Sequence, residues 1–135
     1  MRKASLGSIV GIAVGFALGG PALVWAQAVG APKIDPMLEQ WGERAWNMRQ
    51  CFGCHELGRE QSTGPDLIGV TDRRSVAWLK KWLKDPVEMT ADDSIAAALK
   101  QQYNSQMPNF GLTDRDIEGL IQFLEQKTLE KSQAK

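Results

Sequence analysis

Both cysteines of this chain and its single histidine fall within five consecutive residues, Cys51-Phe52-Gly53-Cys54-His55. A chain that spends all three there keeps no thiol for a disulfide elsewhere and no second imidazole for a two-histidine site. A disulfide-stapled mini-protein is thereby excluded. A thioredoxin-like redox pair would expect a βαβ context, and no segment here alternates as a strand. A structural zinc would want four ligands, and the cluster offers three with no further Cys or His to complete it.

What remains is C-x-x-C-H as the attachment sequence of a c-type haem. Each thiol adds to one vinyl group of the porphyrin, and two intervening residues let both sulfurs face one porphyrin edge. The next residue, His55, then turns its imidazole to the iron. Chain length points the same way. A helical, loop-rich domain of about a hundred residues buries little core by itself, and a covalently held haem adds a large apolar plate.

Charge bounds the location and the partners. The 16 basic and 16 acidic residues cancel, which argues against a nucleic-acid binder. They are unevenly placed: after Arg2 and Lys3 no charge occurs until Lys33. Arg2-Lys3 reads as the positive start of a secretory signal peptide, Leu6 to Leu18 as its apolar stretch, and Val24-Trp25-Ala26 as a cleavage site, with Ala28 a second. Residues 1–26 are then a signal peptide, and the mature protein is two charges acidic. The competing reading is an uncleaved anchor, because residues 4–32 are long enough to span a bilayer and Gly7, Gly11, Gly15 and Gly19 repeat as in paired membrane helices. Either way the rest of the chain lies outside the cytoplasmic membrane, in the periplasm.

Beyond a linker at residues 27–34, the spacing predicts helices only, in one domain over residues 35–130. Asp35-Pro36 is an N-cap with Pro at the first helical position, opening a helix to about Gln50. Cys51 to Gly69 is Gly-rich loop with one short turn. Ser75 caps a helix over Val76 to Lys84, stopped by Asp85-Pro86. Asp92 or Asp93 caps another, Ser94 to about Tyr103. Residues 104–111 are loop. Thr113 with Asp116 forms a capping box for a last helix to about Lys127, with Ile117, Leu120, Ile121 and Leu124 as its apolar stripe. Residues 131–135 should be a disordered tail. The expected fold is all-α, about four short helices wrapped around one haem.

A second axial ligand has to come from outside the cluster. Met37 and Met48 lie on the first helix, on the attachment side. Met89, just after a helix end and beside Glu88, Asp92 and Asp93, is flanked by acids that resist burial. Met107 lies in the loop before the last helix, and Pro108 restricts it to extended backbone suited to crossing a flat surface. Met107 is the expected ligand, opposite His55.

Together these features resemble the bacterial class I cytochromes c, the small single-haem His/Met type, over roughly residues 35–126. Gly42-Glu43-Arg44-Ala45-Trp46 is similar to that family's first-helix pattern, in which a small residue lets the first and last helices cross closely. Gly42 and Trp46 would then meet Leu120 and Phe123. Thr63-Gly64-Pro65-Asp66-Leu67 resembles the segment whose Pro carbonyl accepts a hydrogen bond from the ligand His, giving Pro65 that role. Met107-Pro108 matches the axial Met loop. Residues 71–86 and Met107 to Asp114 also resemble, less specifically, small cytochromes found beside copper proteins and nitrous-oxide reduction.

The resemblance implies a periplasmic one-electron carrier rather than an enzyme, with haem c attached through Cys51 and Cys54 and iron held by His55 and Met107. It acts on redox partner proteins, with no small-molecule substrate, and meets a membrane only if the leader is retained. A haem-based redox or gas sensor, and an electron-transfer subunit docked on a reductase or oxidase, are the other readings. Arg73 or Arg74 can pair with a haem propionate, and the Trp78 indole N–H can reach one. Lys80, Lys81 and Lys84 form a basic patch that would steer an acidic partner.

Overall fold

The computed structural model describes residues 33–59 and 63–134. The expected signal peptide, its expected cleavage site and most of the expected linker lie outside them. The described residues form six α-helices and one 3-10 turn, with no strand among them. None of these helices is long and apolar enough to cross a membrane.

The first helix, α1 (Pro36–Met48), starts where Asp35 accepts the backbone N–H groups of Met37 and Leu38 at 2.8 and 3.3 Å. Those are two of the donors a helix start leaves unpaired. A 3-10 turn at Cys51–Gly53 and then a short helix, α2 (Val70–Arg73), follow. The third, α3 (Val76–Lys84), is capped by Ser75, whose hydroxyl accepts Trp78 N–H. The last, α6 (Asp114–Gln133), opens with the capping box of Thr113 and Asp116.

Two helices were not expected. Asp85-Pro86 ends α3 and at once begins α4 (Pro86–Asp92), since Asp85 accepts from Val87 and Glu88 N–H at 3.1 and 2.9 Å. Proline interrupts a helix already running, yet suits the first position of a new one. Met89 is therefore inside a helix and 2 % exposed, which corrects the expectation that its acidic neighbours keep it from burial. Those acids lie on the solvent side of α4 or in the caps of α4 and α5 (Ser94–Tyr103). The single turn of α2 is too short to show a helical period. About four helices thus become six.

Helix α6 also runs past Lys127 to Gln133, so most of the expected tail at 131–135 is helical. Tertiary contacts hold it. Thr128 Oγ1 accepts Gly69 N–H at 2.8 Å, and Lys131 Nζ approaches Gly58 O at 3.4 Å.

The core is the crossing of α1 and α6, with α3 laid against α6. It comprises Ala45, Trp46, Leu79, Leu112, Ile117, Leu120, Ile121, Phe123 and Leu124. At the crossing two glycines touch through bare backbone. A Cβ on Gly42 would lie 2.0 Å from Gly119 O, and one on Gly119 would lie 2.7 Å from Gly42 N. Trp46 and Phe123 stack obliquely beside them, centroids 5.7 Å apart. The pairing of Trp46 with Phe123 is as expected, and Gly119 is the partner that Gly42 requires. Trp41 closes one end: its Nε1–H donates to Asp116 at 2.8 Å, and the Arg115 guanidinium lies 4.0 Å from its ring centre.

Candidate haem site

The cysteine cluster is folded on its own backbone. Gln50 takes a left-handed conformation (φ 55°), and Cys51 O then accepts the N–H groups of both Cys54 and His55, at 3.2 and 3.0 Å. This brings Cys51, Cys54 and His55 to one wall of a single cavity. Cys51 is half-buried, and that burial pushes its thiol pKa up; Cys54 is exposed.

His55 is held by its Nδ1, 2.9 Å from Pro65 O. A carbonyl oxygen can only accept, so Nδ1 carries the proton and the neutral ring keeps its lone pair on Nε2. Burial lowers the His55 pKa, against the Pro65 hydrogen bond, which raises it. The ring is thus a neutral, oriented donor of the kind a metal requires. Gly64 makes room for it. A Cβ there would stand 2.8 Å from Cε1 and 2.9 Å from Nδ1 of His55, and Gly64 N–H donates to Cys54 O at 2.7 Å. Asp66 folds the same loop by accepting from Gly58 and Ile68 N–H.

The rest of the cavity is mostly apolar. Trp46 comes from α1, Leu79, Trp82 and Leu83 from α3, Leu99 and Tyr103 from α5, and Leu120, Ile121 and Leu124 from α6. Its empty space is about 1360 Å³ with its open mouth included. Met107 and Phe110 line it from the loop before α6. Met89 does not, and Met37 and Met48 are exposed. Two thiols beside an oriented imidazole, a spacious apolar cavity and a thioether in the same lining fit a covalent haem.

The second tier of expected residues is placed differently. Trp78 lines the cavity, but its indole N–H donates to Asp93 Oδ2 at 3.3 Å, so it is not free for a propionate. Asp93 also caps α5, and the Ala96 backbone N–H leads the contacts that hold its carboxyl below the usual range. Trp78 stacks on Trp82 with ring centres 5.6 Å apart, under the Arg74 guanidinium at 5.4 Å. Arg73 borders the cavity with Nη1 and Nη2 donating to Ile68 O and Asp66 O, at 2.7 and 3.0 Å. Those bonds brace the Pro65 loop. The basic patch is largely neutralised: Lys80 pairs with Glu118 at 2.7 Å and Lys84 with Asp114 at 2.8 Å. Both partners come from α6, one turn apart, a match invisible until α3 is laid on α6.

Gly119, the close approach of Gly64 to the His55 ring and the bond from Trp78 to Asp93 went unread. Gly119 did carry a signal, because glycine inside a helix costs about 1 kcal/mol against alanine and needs a reason.

Residues 40–128 match the cytochrome c family. Among solved structures, a cytochrome c from Rhodothermus marinus shares 28 % identity at a TM-score of 0.68, covering 73 % of this chain and 83 % of that one. An engineered form of it, bound to a carbene intermediate, aligns at a TM-score of 0.64 with 28 % identity, over 73 % of this chain and 83 % of that one. A cytochrome c domain of a Pseudomonas putida protein shares 39 % identity at a TM-score of 0.60, over 67 % of this chain and 91 % of that domain. No curated protein matches. An all-helical fold closed around a C-x-x-C-H cavity defines a haem c protein of the electron-transfer class. The chain belongs to the cytochrome c family and binds haem c through the cysteine pair.

Proposed function

We propose that this protein is a periplasmic one-electron carrier in which His55 and Met107 would hold the haem iron. The observation that carries the reading is the shared cavity: Cys51, Cys54 and His55 form one part of its wall, and Met107 reaches it from a loop 52 residues further along. When bound, haem supplies a one-electron change of oxidation state at iron, and a thioether ligand favours the reduced form. The protein's part is to hold that group still and dry. Pro65 O fixes the His55 ring and raises its basicity. Gly64 lets the ring lie against the backbone. Trp46, Leu79, Leu120 and Leu124 exclude water. Exposed Cys54 and Phe52 leave the attachment edge near solvent, where a redox partner protein can approach. With two of its lysines paired, the Lys80, Lys81 and Lys84 patch steers a partner weakly, so docking rests more on that edge. The uncharged stretch of residues 4–32 behind Arg2-Lys3 supports export to the periplasm.

The test is holoprotein made in cells that export and attach haem, compared with Met107→Ala and Met89→Ala. Wild type should show the methionine–iron charge-transfer band at the red end of the ferric spectrum. Met107→Ala should lose it, lower the potential and open the iron to carbon monoxide or cyanide, while Met89→Ala keeps the band. Loss of the band in the Met89 variant alone would overturn the assignment, and carbon monoxide binding by wild type would favour a gas sensor.

A further inference from the structure

The segment that carries Met107 has little backbone support. Residues 106–112 make no backbone-to-backbone hydrogen bond with the other described residues, and Pro108 has no N–H to give. Side chains hold it instead. Asn109 Oδ1 accepts Gly111 N–H at 2.9 Å, and Leu112 is buried in the core. Between these and α5 one polar attachment ties the loop to α4. Gln106 Nε2 lies 3.1 Å from Met107 O, 3.2 Å from Thr90 Oγ1 and 3.3 Å from Pro86 O.

The chemistry of that cluster fixes its sense. Thr90 Oγ1 gives its own proton to Pro86 O at 2.6 Å, so toward Gln106 it can only accept. Met107 O and Pro86 O are carbonyls and can only accept as well. A carboxamide turned the other way would set its oxygen against three acceptors, so the NH₂ faces them. Its two protons are shared among three acceptors, two belonging to α4. The far end is firm, since Pro86 is fully buried and Met89 is 2 % exposed. Gln106 also lines the cavity beside Met107.

We infer that Gln106 is a positioning residue: its carboxamide clasps the Met107 carbonyl to α4 and sets how readily the Met107 side chain leaves the cavity for an external ligand. This rests on Met107 being the axial ligand. Any displacement of the sulfur that carries the Met107 backbone with it breaks the clasp. The clasp therefore adds to the cost of displacing Met107 while adding nothing to haem attachment, which depends on Cys51 and Cys54.

The experiment titrates imidazole into ferric holoprotein and follows the methionine–iron band. Gln106→Leu keeps the side-chain bulk and removes both donors. A net hydrogen bond of ordinary strength predicts imidazole binding about 2- to 10-fold tighter. Covalent haem content should be unchanged and the band should persist without imidazole. Thr90→Val should shift binding the same way by less, and Thr90→Ser, which keeps the hydroxyl, should match wild type. General loosening would make Thr90→Ser behave like Thr90→Val, and that result overturns the inference. So does an unchanged imidazole affinity in both Gln106→Leu and Thr90→Val while wild type shows the band and Met107→Ala loses it. A band that survives Met107→Ala instead defeats the ligand assignment, and the clasp falls with it.

Discussion

Replacing Gly42 with alanine sets two opposite effects against each other, and the structure decides between them. On propensity alone Gly42→Ala should stabilise α1 by about 1 kcal/mol. The added methyl, however, would lie 2.0 Å from Gly119 O, 2.2 Å from Gly119 C and 2.8 Å from Leu120 N. Ordinary contact begins near 3.4 Å, and these atoms are helix backbone that cannot turn aside. The helices must part by more than an ångström, which loosens Trp46 against Phe123 and opens gaps around Leu120. Overpacking of this kind costs about 1–3 kcal/mol, and backbone contact places it at the upper end. The net loss is then about 2 kcal/mol, or roughly 8–16 °C in Tm for a domain of this size. Thermal unfolding of the holoprotein by circular dichroism measures it, with Gln40→Ala, exposed on the same helix, reporting propensity alone. A Gly42→Ala protein as stable as wild type, or more so, would refute the close-crossing argument.

Two further outcomes follow from the same geometry. Gly64→Ala should destabilise the holoprotein by about 1–3 kcal/mol in urea unfolding, because its methyl drives the His55 ring off Pro65 O; an unchanged midpoint would mean that the loop yields freely. Asp116 bears on acid stability. Burial raises its pKa, but the Thr113 backbone N–H, the Trp41 indole and the Thr113 hydroxyl outweigh that and hold it below the usual range. A carboxyl depressed in the folded state stabilises above its unfolded pKa and loses that contribution as pH falls through the folded value. Asp116→Asn should therefore cost about 1 kcal/mol at pH 7 through the weakened cap. The gap to wild type should narrow below about pH 4, and urea midpoints at pH 7 and pH 3 would show whether it does.

Much of this fold was legible where chemistry is local. The caps Asp35, Ser75 and Thr113, the apolar stripe of α6 and the cysteine–histidine cluster each declare themselves within a few residues. What escaped depended on distant partners. Asp85-Pro86 reads as a stop from one side and a start from the other, so α4 and the burial of Met89 were hidden. The Lys80 and Lys84 patch looked free because Glu118 and Asp114 lie far along the chain. The Trp78 N–H looked available because Asp93 meets it only after α4 turns the chain. The place of Met107 in the cavity lining was accessible through Pro108 and its position before α6, whereas the contact of Gln106 with Thr90 and Pro86 required α4 to exist first.

The crossing of α1 and α6 joins regions made far apart in time: Trp41 and the Asp116 that receives its indole proton are 75 positions apart. During synthesis the apolar side of α1 has no partner until nearly the whole domain has been made. Contacts of such long range slow folding, because a large loop must close before they reward it. The same late helix brings Leu120, Ile121 and Leu124 to the cavity. Sealing the pocket and covering α1 are thus one event, governed by the arrival of α6. Until then the cavity that Cys51 and Cys54 line stays open on the side that α6 closes.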